Sequence, residues 1–128
     1  MWTAIAAISG ALAVAAGAFG AHGLREKVTP DQLNAWTTAC QYHLVHSVVL
    51  LALALYASGA ATGAAGGGDK AIRIPAWLFL TGMLLFSGSI YALVLTGQRW
   101  LGPITPMGGL LLIAGWISLI FVAGSKSP

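Results

Sequence analysis

The stretch Trp36-Thr-Thr-Ala-Cys-Gln-Tyr-His-Leu-Val-His-Ser-Val-Val-Leu-Leu-Ala-Leu-Ala-Leu-Tyr-Ala-Ser58 decides how the rest of the chain is read. It carries no formal charge over a length that satisfies a bilayer-crossing helix, which needs about 20 mostly apolar residues. Its first half nevertheless holds Cys40, Tyr42, His43, His46 and Ser47. His43 and His46 fall within about 7 Å of the midpoint at the rise of an α-helix. Ionisable side chains at that depth are costly against lipid, so this face must be covered by protein or by a water-filled pocket. A lone helix cannot supply that cover.

Working outward, the formal charges are Arg25, Glu26, Lys27, Asp31, Asp69, Lys70, Arg73, Arg99 and Lys126. They divide the chain into uncharged stretches that each hold one span and no more. The spans are placed at residues 2–21, 36–58, 75–97 and 104–124, which makes the fold class an all-α, integral membrane four-helix bundle in one domain. The apolar runs lack the alternation of a barrel strand. With 58% apolar and 7% charged residues in 128, a soluble globule has too few charges to cover its surface, and a disordered chain would not be this apolar. The lipid bilayer is the expected partner, together with a second copy or another membrane protein. The net charge of +3 is too scattered for a nucleic-acid footprint, so no nucleic-acid partner is expected.

Trp2, Trp36, Trp77 and Trp100 fall at span ends, the level at which an indole ring serves both lipid and water. Trp116 and Tyr91 fall inside spans and need protein or water partners. Ala13, Gly17 and Ala21, with Ala16 and Gly20, give the first helix small faces, which places it inside the bundle. Thr29-Pro30-Asp31-Gln32 reads as a capping box with proline in the first turn, so the second helix starts before its span does. Residues 58–69 form a Gly/Ala-rich linker, and Thr105 is a candidate cap for the fourth helix. The first span is expected to be retained: Ala16-Gly17-Ala18 has the look of a cleavage site, but no basic segment precedes it. Positive residues tie, with Arg25, Lys27 and Arg99 against Lys70, Arg73 and Lys126, so orientation is undecided. The single Cys40 allows no intrachain disulfide.

The candidate site is a polar cluster at one membrane face. Cys40, His43 and His46 follow in steps of three on one face of the second helix, and His22 ends the first. Ser87 and Tyr91 form a stripe in the third span, and Arg99 and Thr105 complete the same end. Several readings compete: hydrogen bonding between helices, metal or haem binding, a proton or solute path, and recognition of an anion or lipid headgroup. Cys40, His43 and His46 are the metal-ligand candidates, although no HExxH or CxxC pattern is present. No cofactor is firmly implied. An enzyme is least favoured, because the spans hold no carboxylate pair, nucleophile triad or metal-hydrolase motif.

Four blocks then carry a resemblance: Gly17-Ala-Phe-Gly-Ala-His-Gly-Leu24, Tyr42-His-Leu-Val-His46, Leu85-Phe-Ser-Gly-Ser-Ile-Tyr91 and Gly102-Pro-Ile-Thr-Pro-Met-Gly-Gly109. In this order they are similar to the signature blocks of domain-of-unknown-function family 423. That family includes YgdD-type inner-membrane proteins and is related to the eukaryotic transmembrane protein 256. The resemblance implies a small four-helix protein of a bacterial inner membrane and implies no activity. Taken together, the expectation is a non-enzymatic membrane protein whose polar end binds a small ligand, ion or lipid headgroup. The alternatives are an accessory or assembly subunit of a larger complex and a small proton or solute transporter.

Overall fold

The computed structural model describes residues 1–60, 63 and 68–124; most of the Gly/Ala linker and Lys126 lie outside the described residues. The chain forms α1 (Trp2–Phe19), a π-helical turn (Gly20–Leu24), α2 (Pro30–Ser58), α3 (Gly68–Thr96), a 3-10 turn (Arg99–Leu101) and α4 (Ile104–Gly124). Four helices among the described residues are long and apolar enough to cross a membrane.

The start of α2 forms as its sequence dictates. Thr29 Oγ1 accepts the Gln32 N–H at 3.2 Å, and the Thr29 N–H donates to Gln32 Oε1 at 2.9 Å. Two of the backbone groups that a helix start leaves open are thereby satisfied, with Pro30 in the first turn where no N–H is required. Farther along, Thr37 and Thr38 donate back to the Leu33 and Asn34 carbonyls, which lets these exposed residues occupy helix positions.

α2 and α3 form the central pair. α1 packs on α2, and α4 packs on α3. One core gathers Trp2 and Ala6 of α1 with Leu50, Leu53 and Ala54 of α2, Ile72, Phe79 and Met83 of α3, and Leu112 of α4. A second gathers Leu24, Trp36, Ala39, Ile90 and Val94 toward the end that carries the first and third loops. Between the two, the Ser87 hydroxyl donates to the Ala39 carbonyl at 2.8 Å and ties α3 to α2. α3 and α4 approach so closely that a Cβ on Gly108 would collide with the Phe86 backbone nitrogen. Only glycine allows this crossing.

Four expectations are corrected. The Ala/Gly helix α1 is peripheral: Ala6, Ser9 and Ala13 are buried, whereas Ile8, Leu12 and Val14 are exposed. Its small residues permit close approach to a single neighbour, and large apolar groups on the other side suit lipid. α3 begins at Gly68 rather than at residue 75, with Pro75 buried inside the helix. The carbonyl that Pro75 leaves without its helical donor belongs to Ala71, near the helix start, where Lys70 and Arg73 are exposed. Trp2 and Trp36 are buried against protein rather than exposed at the surface. The Trp2 ring meets Trp77 edge-on at 5.4 Å, and the Trp36 N–H donates to the Ala16 carbonyl at 2.8 Å. The Trp36 indole lies on Gly20, where a Cβ would come within 2.5 Å of its Cδ1. Thr105, finally, is no cap. It sits inside α4 and shares a 2.6 Å hydrogen bond with Ser89 of α3; Ser89 itself donates to the Phe86 carbonyl, so the Thr105 hydroxyl is the donor.

Candidate functional site

His43 and His46 diverge on α2, each into a different polar group. His43 turns between α1 and α3. Its Nε2 lies 3.1 Å from Ser9 Oγ and its Nδ1 lies 3.3 Å from the Tyr91 hydroxyl. Ser9 Oγ is 2.6 Å from Ser47 Oγ, and Ser47 donates to the His43 carbonyl at 2.8 Å. That last bond sets the direction of the serine bonds, because a carbonyl only accepts and each hydroxyl has one proton. Ser47 spends its proton on the carbonyl, so Ser9 donates to Ser47. Ser9 then accepts from His43 Nε2–H, and in the neutral ring this tautomer leaves Nδ1 to accept from the Tyr91 O–H. Met83 Sδ closes the group at 4.0 Å from Ser9 and 3.9 Å from Ser47. Ser9, Ser47 and Met83 are buried, and among the described residues no buried side-chain nitrogen or oxygen lacks a partner. We call this group the knot.

His46 faces α4 and has the opposite tautomer. Its Nδ1–H donates to the Tyr42 carbonyl at 2.7 Å, which leaves Nε2 as an acceptor for the Trp116 indole N–H at 3.2 Å. Phe79 stands edge-on to Trp116 at 5.5 Å, and Tyr42 stacks on Phe86 at 4.5 Å. Tyr42, His46, Phe86 and Trp116 border a cleft of about 580 Å³ between α2 and α4, whose lining also includes Gln41, Val45 and Ile113. The walls are open outward: Val45 is 53% exposed, Ile113 57% and Trp116 48%, whereas His46 at the base is 5% exposed. In a bilayer these exposed groups meet hydrocarbon, so the cleft opens sideways into lipid. Its size is that of a small-molecule site, apolar with a few placed polar groups.

The structure thus brings together only part of the cluster expected from the sequence. His43 meets Tyr91, and Cys40 packs with Tyr91 against the core around Trp36. His46 stands apart from them. His22 lies exposed in the π-helical turn, and Arg99 lies exposed in the 3-10 turn. Ser87 is spent on the Ala39 carbonyl and Thr105 on Ser89. No three His, Cys, Asp or Glu side chains come together to hold an ion among the described residues. Around His43 and His46 the groups brought together meet through hydrogen bonds.

Sequence reasoning passed over Ser9 and did not count Trp116 as a site residue. Ser9 was detectable as a lone hydroxyl in the middle of an Ala-rich span. Trp116 was detectable as an indole too deep to reach the headgroups, which is why a protein partner was required for it.

Comparison with known proteins agrees with this architecture. No solved structure matches the chain. A UPF0382 membrane protein of Staphylococcus aureus is 40% identical over 118 residues, covering 91% of this chain and 88% of its own. The UPF0382 membrane protein YwdK of Bacillus subtilis is 40% identical over 119 residues, covering 93% and 92%. A UPF0382 membrane protein of Schizosaccharomyces pombe is 38% identical over 125 residues, covering 91% and 95%. The family model described as "Protein of unknown function (DUF423)" matches residues 16–109, from the carbonyl that receives the Trp36 indole to a glycine on the α4 wall of the cleft. With that match and these relatives, this four-span membrane protein belongs to the DUF423 family.

Proposed function

We propose that the chain is a non-enzymatic binding protein of the bacterial cytoplasmic membrane, whose α2–α4 cleft takes up an amphipathic small molecule from the surrounding lipid. The observation that carries this reading is the cleft itself. A volume of about 580 Å³ lies beside the hydrocarbon, with an imidazole at its base and an amide and a phenol in its lining. The bacterial relatives and the helical spans favour the cytoplasmic membrane, and a yeast relative is likewise named a membrane protein.

The reading is tested by extracting the protein with its own lipids into nanodiscs and identifying co-purifying small molecules by mass spectrometry. Ile113→Trp, which fills the cleft from α4, is compared with Ile120→Trp, which is exposed elsewhere on the same helix. The expected result is a species enriched over bulk lipid in the parent and in Ile120→Trp and depleted in Ile113→Trp. A parent that carries nothing beyond bulk lipid would overturn the reading.

A further inference from the structure

The hydrogen bond from Trp116 to His46 has a fixed polarity, and that polarity selects a functional group. The Tyr42 carbonyl holds the His46 proton on Nδ1 at 2.7 Å, so Nε2 only accepts. The indole N–H only donates. The two meet at 3.2 Å on the wall of the cleft, and Trp116 is half exposed where His46 is buried. Any group that enters between them must accept from the indole and donate to the imidazole, or else leave a polar atom unpaired at a depth where water is scarce. Ether, ester and ketone oxygens accept only. An ammonium donates only and brings a charge into hydrocarbon. A hydroxyl does both through a single oxygen.

We infer that the cleft selects a lipid-soluble alcohol or phenol, whose hydroxyl bridges Trp116 Nε1 and His46 Nε2. The inference rests on the cleft reading above and adds the chemical class of its occupant. Insertion exchanges one hydrogen bond for two and orphans neither ring. Water meets the same two demands, but the apolar walls of Val45, Leu112 and Ile113 add affinity only for a group that carries hydrocarbon. Gln41 and Tyr42 in the lining suit a second polar group on such a molecule.

The test uses the full chain in nanodiscs, labelled with ¹⁵N-histidine and titrated with 1-decanol or with decyl methyl ether. Occupancy is read separately from diazirine-bearing forms of both probes, by mapping crosslinks onto α2 and α4. The expected result is a shift of the His46 Nε2 resonance with the alcohol and none with the ether. The alcohol should also occupy the cleft at a concentration roughly tenfold lower, the effect of about one extra net hydrogen bond. Crosslinking of both probes at equal concentration, with no difference at His46, would overturn the choice of hydroxyl and leave the cleft reading standing. Crosslinking of neither would overturn both. His46→Phe is expected to abolish the preference. Because His46 is buried and its loss can disturb the fold, Trp116→Phe at the half-exposed partner is the second variant. It is expected to keep the preference, since donation to His46 Nε2 carries it, and to enlarge the His46 Nε2 shift on alcohol binding, since the freed acceptor then gains a donor. A Trp116→Phe protein in which the alcohol leaves the His46 Nε2 resonance unmoved would overturn the bridge.

Discussion

The knot around His43 and the cleft beside His46 stand less than one turn apart on α2, and the difference between them lies in their neighbours. At His43, α1, α2 and α3 converge, and the polar atoms find partners among Ser9, Ser47 and Tyr91. At His46, α2 and α4 meet only at their inner edges, so the same residue type sits at the base of a recess with an exposed indole for a partner. Imidazole is therefore not a functional signal in itself in this protein. What differs is the partner: hydroxyls of α1, α2 and α3 close on His43, whereas the acceptor nitrogen of His46 meets a half-exposed indole of α4 beside Phe79 and Phe86 of α3.

The largest expected effect tests the wall that shapes the cleft. Gly108→Leu drives a side chain into the Phe86 backbone and forces α3 and α4 apart. It should cost about 3 kcal/mol or more by overpacking, read as a lower SDS midpoint in circular dichroism, with the knot intact in the histidine NMR spectrum. His43→Ala should cost about 2–4 kcal/mol, because it opens a void and removes the bonds that Tyr91 and Ser9 make to the ring. Ser9→Ala removes one link and should cost about 1 kcal/mol in the same SDS titration, in keeping with hydrogen bonds between membrane helices. Ile113→Ala, on the open wall, should change stability by under about 0.5 kcal/mol while weakening retention of any co-purifying molecule. If Ser9→Ala proves as harmless as Ile113→Ala, the contrast between a sealed region and an open one fails.

Much of the architecture was legible because charge is expensive in lipid. The positions of Arg25, Asp69, Arg73 and Arg99 bounded the spans, and Thr29 to Gln32 announced the start of α2. The start of α3 was not legible, since Pro75 ordinarily reads as a helix boundary and only burial against its neighbours keeps it inside one. The candidate site was half legible. Depth alone required partners for His43, His46, Tyr91 and Trp116, and each has one. Their assignment to one cluster failed for an angular reason: residues three apart differ by about 60° around a helix, given its 3.6-residue turn. Where a helix is flanked on both sides, that angle suffices to send His43 toward α1 and α3 and His46 toward α4. Periodicity names a face, but the neighbours decide how it is divided.

The one-way order of the bonds around His43 has an electrical consequence. Starting from Nε2–H, the path runs through Ser9 and Ser47 and ends on the carbonyl of His43 itself, so it is a closed loop. A Grotthuss relay needs a terminal base able to keep what it receives, and an amide oxygen holds a proton far too weakly. A proton entering this loop is therefore handed back toward the residue it left.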